Sequence, residues 1–171
     1  PLLSEALAKY LLLKGEGKDK TFVRGANRNI KYVTDHLGDR PIDAYTSADA
    51  ASLRDKLMDN GLSVSSVKRN FSTIRSIINL TITEQGLDCA NAFARTYMPD
   101  EEKQRRLPIP MDCIHAIQSD CLNADDDMRW LVALLSDSGM RLGEAVGLVK
   151  SDIILDGDIP HVNIAPHAWR R

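Results

Sequence analysis

Apolar residues recur at helical spacing along most of the chain, and glycine or proline interrupts the runs. Leu3, Leu7, Leu11 and Leu12 fall near one face and predict a short helix over 4–13, closed by a polar, glycine-broken stretch over 14–20. Phe22, Ala26, Ile30, Val33 and Leu37 predict a second helix over 21–36; Gly38 ends it and Pro41 keeps it from resuming. Thr46 and Ser47 start a third, with Ala50, Leu53 and Leu57 inward and Gly61 as its stop. Its outer face mixes charge signs and reads as solvated surface. The longest stripe, Val64, Val67, Phe71, Ile74, Ile78 and Ile82, predicts a helix over 63–85 begun by Ser63 and stopped by Gly86.

The pattern changes after Asn91 and Phe93, which close a helical unit over 1–95. Residues 96–106 hold Pro99, the acidic cluster Asp100, Glu101 and Glu102, and the basic run Lys103, Gln104, Arg105 and Arg106. That is linker composition, and the basic run could serve as a strap along a nucleic-acid backbone. A second unit over 107–171 opens with a helix over 111–121, Ile114 and Ile117 inward. Asn123 is the expected cap of the next helix, with Asp125, Asp126 and Asp127 at the positive end of its dipole. Met128, Leu131, Val132, Leu134 and Leu135 predict that this helix is strongly buried. Gly139 is its left-handed stop, and Leu142, Ala145 and Val146 place a short helix against a core. Residues 153–155 and 161–164, separated by Asp156-Gly157, predict a β-hairpin. The fold class is mainly α, with one hairpin in the second unit.

Charge refines this picture. The net charge of −2 does not announce a nucleic-acid binder. It is unevenly spread, however: residues 1–105 carry 16 Lys/Arg and 14 Asp/Glu, whereas 106–171 carry 6 and 10. A nucleic-acid surface would therefore be local. Arg24, Arg28 and Lys31 lie nearly opposite the apolar stripe of the second helix. On the longest helix Ser65, Arg69, Ser72, Thr73 and Ser76 oppose the stripe, flanked by Lys68 and Arg75, with no acid between 60 and 83. Small hydroxyl side chains beside an arginine let a phosphate backbone approach and give it hydrogen bonds. The plain alternative is a serine-rich solvated face, but serine is a poor helix former and a solvated helix more usually carries Glu and Lys. Double-stranded DNA is the expected partner, held by Arg24, Arg28, Lys31, Ser65, Lys68, Arg69 and Arg75.

Other chemistry is sparse. Cys89, Cys113 and Cys121 are odd in number and widely spaced, and His36, His115, His161 and His167 do not cluster with them. Neither a metal site nor a cofactor is expected, and the cysteines read as reduced residues of a cytoplasmic protein. No apolar run approaches a membrane span and no signal peptide is visible.

The most informative stretch is Asp137 to Leu148, D-S-G-M-R-L-G-E-A-V-G-L. Arg141 lies off the apolar stripe at the start of a helix, where the dipole disfavours a cation. An ordinary surface arginine is the plain reading; an arginine placed to hold an anion is the sharper one. Glu144, three residues on, can hold it in place. Ser138, Gly139, Met140, Arg141, Glu144 and Leu148 together resemble the first arginine motif of the tyrosine recombinases, the phage-type integrases. The resemblance extends to the Leu37-Gly38-Asp39 turn, the Gly61-Leu62-Ser63 start of the longest helix and Asn91-Ala92-Phe93-Ala94.

The resemblance implies a SAM-like core-binding domain over 1–95, a linker over 96–106 and, over 107–171, the truncated α+β start of a catalytic domain. It implies a bacterial or prophage-encoded parent that breaks and rejoins DNA at specific sites through a 3′-phosphotyrosine, assembled with other copies on the recombination site. Arg141 would be a phosphate-binding arginine and Glu144 its support. The family's lysine, second arginine and tyrosine would follow Arg171. Tyr10, Tyr32, Tyr45 and Tyr97 all precede Arg141, and the chain opens on Pro1 without a methionine. It is therefore expected to be a piece of such an enzyme that cannot cleave DNA by itself. A non-catalytic helical DNA-binding regulator is the alternative; a plain helical interaction module, whose basic faces are chance, is a third reading.

Overall fold

The computed structural model describes residues 1–101 and 107–167. The basic run Lys103, Gln104, Arg105 and Arg106, expected as a strap, lies outside them. The chain divides into two compact units, Pro1–Lys103 and Gln104–Arg171.

The first unit is built from four helices: α1 (Leu3–Lys14), α2 (Lys20–Leu37), α3 (Ser47–Asp59) and α4 (Val64–Gln85). Their boundaries follow local chemistry. Asp19 caps α2 by accepting from the Phe22 amide, Thr46 caps α3 through the Asp49 amide, and Ser63 caps α4 through the Ser66 amide. Gly86 closes α4 at φ 59°, a left-handed conformation that glycine adopts without strain. Helix α4 packs against α1, α2 and α3, which is why its buried side is wide. Ile77 and Thr81 join Val67, Phe71, Ile74 and Ile78 there, while Ile82 is only half-buried. The Thr81 hydroxyl bonds to the Ile77 carbonyl at 3.1 Å, so its burial leaves the hydroxyl satisfied.

Helix α1 departs from its expected face. Leu3, Ala6 and Tyr10 are buried, whereas Leu12 is 77% exposed. Leu12 lies half a turn round from Leu3, so the two cannot face one core. Asp39 anchors α1 by accepting from the Ser4 amide and hydroxyl, and the Leu3 amide donates to the Arg40 carbonyl. Phe93 is fully buried with Phe71 and Tyr45 at ring-centroid distances of 6.0 and 5.8 Å. Beyond it, residues 96–101 are fastened to this unit: the Tyr97 carbonyl accepts from Arg54 and the Glu101 carboxylate accepts from the Ser65 amide. The outer face of α3 is solvated at Ser52, Asp55, Lys56 and Asp59, as expected, but not at Arg54, whose side chain is only 17% exposed.

The second unit contains α5 (Met111–Ala124), α6 (Asp127–Ser138), α7 (Leu142–Val146) and a hairpin of β1 (Ile153–Ile154) and β2 (His161–Val162). The strands are antiparallel, Ile153 opposite Val162 and Ile154 opposite His161. Helix α5 runs through Asn123, and the cap of α6 is Asp126, which accepts from the Arg129 amide. Asp125 takes a left-handed turn between the helices and accepts from the Trp130 indole. Helix α6 is not strongly buried, and Ile117, Leu142 and Val146 are exposed. The apolar positions of α6 span nearly half its circumference, and among the described residues of this unit α5 and α7 are the elements that pack most on it. Cys121 and Ala145 are the buried apolar residues among those described here. No described helix is long and apolar enough to cross a membrane.

Candidate nucleic-acid interface

Helices α2 and α4 bring two of the expected contact residues together. Arg28 and Arg69 line both of two adjoining clefts, of about 310 and 200 Å³. Tyr32, Leu62 and Ser66 wall the first; Phe22, Gly25 and Thr73 belong to the second. Gly25 leaves the floor low, since nothing lies within 4 Å of where a Cβ would stand. Asn70 lines both clefts and Asn29 the second, and both residues are buried. The Asn29 Oδ1 makes no hydrogen bond among the described residues. Sequence reasoning missed these two asparagines. The signal was there: each interrupts an apolar stripe, Ala26-Ile30-Val33 in α2 and Val67-Phe71-Ile74 in α4.

The remaining expected residues are not all gathered there. Arg24 and Lys68 are exposed and line neither cleft. Lys31 pairs with Asp35 at 3.0 Å, both ends well exposed, so the attraction is weak and easily exchanged for another anion. The Ser65 hydroxyl lies 3.1 Å from that of Ser63, and its amide is taken by Glu101. Arg75 is half-buried, its Nε donating to the Phe93 carbonyl at 2.7 Å with the guanidinium 5.9 Å from the Phe71 ring centre. Arg75 therefore holds the end of the unit as well as lining its surface.

In the second unit Arg141 precedes α7. Gly139 at φ 66° stops α6, and the Arg141 backbone amide donates to one Glu144 carboxylate oxygen at 2.8 Å. Its guanidinium meets the other oxygen at 3.0 Å while the side chain stays 87% exposed. Glu144 thus holds both ends of Arg141, and the exposed guanidinium is oriented rather than buried. His161 and His167 sit apart from this pair in sequence: His161 Nδ1 contacts the Ile159 carbonyl, and His167 Nε2 lies 2.8 Å from Asp152, a buried carboxylate that also accepts from the Val149 amide. They serve the hairpin and the turn before it.

No family model matches the sequence, and no curated protein matches it. Solved structures do. The chain is similar to the Tn1549 transposon integrase (residues 82–397) in complex with circular intermediate DNA, at 18% identity and a TM-score of 0.74, over 91% of this chain and 52% of that one. It is similar to a λ integrase (75–356) dimer bound to a COC′ core site, at 24% identity and a TM-score of 0.73, over 92% and 56%. A λ integrase tetramer bound to a Holliday junction gives 24% and 0.73, over 92% and 44%. The chain thus has the fold of these integrases over most of its length and spans about half the length of each.

Proposed function

We propose that this chain is a DNA-binding portion of a site-specific tyrosine recombinase. The observation that carries the reading is the meeting of Arg28 and Arg69 across α2 and α4, on a fold shared with integrases solved on DNA. Two guanidiniums beside small hydroxyl and amide side chains suit a phosphate backbone, which supplies affinity without base identity. Arg24, Lys31, Ser65, Lys68 and Arg75 extend this face. Residues 1–95 act as the core-binding domain and 107–171 as the opening of the catalytic domain, joined by 96–106. Partners are double-stranded DNA of a recombination site and further copies of the same protein.

Arg141 is the phosphate-binding arginine and Glu144 its support. Two donors fixed in a plane match two phosphate oxygens and stabilise charge that develops during phosphoryl transfer. The parent enzyme attacks through a tyrosine, dividing the transfer into two steps through a covalent intermediate. None of Tyr10, Tyr32, Tyr45 and Tyr97 follows Arg141, and Tyr10 and Tyr45 are buried. The chain by itself binds DNA without cleaving it. Arg141 with Glu144, followed by a hairpin, favours the recombinase over a non-catalytic regulator, which has no use for that pair.

The test is a titration of duplex DNA against salt. Each phosphate neutralised contributes roughly 0.9 to the slope of log affinity against log salt, so several contacts give a slope of several units. Arg28→Ala and Arg69→Ala should each flatten it by about one unit on any sequence. A flat slope for the unmutated chain overturns the reading.

A further inference from the structure

We infer that the far half of α4 and the end of α1 form a second phosphate-binding groove, engaging the same duplex as the Arg28–Arg69 cleft. Ser65, Arg69, Ser72, Ser76, Asn79 and Thr83 succeed one another at alternating intervals of four and three residues. They form one polar ridge along α4. Arg28 flanks its first half. The second half borders a separate groove of about 420 Å³, lined by Lys14, Ser72, Arg75, Ser76, Asn79 and Thr83 together with the apolar Leu80.

The chemistry of that groove is one-sided. It offers two cations, three hydroxyls and an amide, and no acidic residue lines it. Lys14, in the last turn of α1, carries its ammonium 5.6 Å from the Tyr10 ring centre, a contact that keeps the flexible side chain near the protein. The Arg75 Nε is fixed by the Phe93 carbonyl, so the Nη edge of a preset guanidinium is left to meet an anion. The Asn79 carbonyl oxygen accepts from Asn91, which orients the amide group. Small side chains at 72, 76 and 83 leave space for a phosphodiester to approach.

The spacing permits joint use. Asn79 follows Arg69 by ten residues, about 15 Å along a helix. The major groove is about 12 Å wide, so clusters this far apart can meet phosphates of one duplex.

This inference rests on the DNA-binding reading, and one set of titrations separates the two. A duplex of about 30 base pairs, three helical turns, is titrated across salt with the unmutated chain, Arg69→Ala, Lys14→Ala, Lys14→Arg and Asn79→Asp. Lys14→Ala should lower the slope by about one unit and weaken binding five- to ten-fold at 0.1 M salt, and Lys14→Arg should keep both. Asn79→Asp keeps the acceptor for Asn91 and should weaken binding through its charge alone. Lys14 and Asn79 are exposed, so thermal melts should stay unchanged. If the unmutated chain shows no salt-dependent binding, the DNA reading itself fails. If it binds and Arg69→Ala weakens it, while Lys14→Ala and Asn79→Asp bind as well as the unmutated chain, the second groove is overturned.

Discussion

Arg75→Ala should destabilise the first unit by about 2 kcal/mol, unlike the other basic residues of the proposed DNA face. The Nε bond to the Phe93 carbonyl is charge-assisted, a class worth about 1.5–3 kcal/mol. The Thr96 hydroxyl also donates to that carbonyl at 3.1 Å, so removing Arg75 does not orphan the acceptor and the lower part of the range applies. The guanidinium over Phe71 adds about 0.5–1 kcal/mol. Phe93 itself stays held, because its ring is fully buried and its amide donates to the Asn91 side chain at 3.0 Å. Arg69→Ala is the comparison: Arg69 is exposed, and its loss should stay within about 0.5 kcal/mol. The first unit, Pro1–Lys103, contains no tryptophan, so tryptophan fluorescence does not follow it. Amide exchange of buried α4 positions such as Ile74 and Ile78, measured against urea, does. Equal losses for Arg75→Ala and Arg69→Ala would refute the structural role assigned to Arg75.

Two further outcomes are expected. The hydrogen bond from Arg40 holds the Asp49 carboxyl below its ordinary value, helped by the Thr46 amide. A folded-state value below the unfolded one stabilises above the unfolded pKa of about 3.9 and is lost as pH falls through the folded value. Urea unfolding of the unmutated chain should therefore weaken below about pH 4 more steeply than that of Asp49→Asn, and parallel acid limbs would count against the assignment. In the second unit, Glu144→Ala frees the Arg141 amide and should speed its hydrogen exchange several-fold, as loss of a cap worth about 0.5–1 kcal/mol does. Arg141→Ala should leave the exchange at that position nearly unchanged, since its side chain is almost fully exposed; matching effects would show that the guanidinium, not Glu144, holds the turn.

Much of the first unit was legible because helical periodicity and end signals agreed. Thr46, Ser63, Gly38 and Gly86 mark helix ends, and the stripes between them face the core, whereas the Asp19 cap of α2 was not read from the sequence. The outward side of Arg28 and Arg69 was legible from the same periodicity. Their meeting was not, because it depends on how α2 packs on α4, which no single-helix pattern contains. The double use of Arg75 and the fastening of Tyr97 by Arg54 were hidden for the same reason: each joins residues far apart in sequence through a backbone carbonyl. The second unit misled in the other direction. Its leucines and isoleucines carry the pattern of core residues, yet Met128, Val132, Leu142 and Val146 are exposed. Periodicity reports which side of a helix is apolar, not whether anything in the described residues covers it.

Helix α4 gives the strongest physical reason to look for a ligand on its outer face. Serine, threonine and asparagine each cost roughly half a kcal/mol relative to alanine in a helix interior. The polar ridge uses almost nothing else. The helix tolerates this because Val67, Phe71, Ile74, Ile77 and Ile78 are buried beneath it, each contributing about 1.5–3 kcal/mol of burial. Stability therefore comes from the inner face and sets no demand for small hydroxyls on the outer one. Glutamate and lysine would form a better solvated surface there, yet from Val64 to Thr83 the helix carries no acid. A face that forgoes helix propensity, side-chain bulk and negative charge together, with Arg28 and Arg69 at one end and Lys14 and Arg75 at the other, suits the close approach of a polyanion better than contact with water alone.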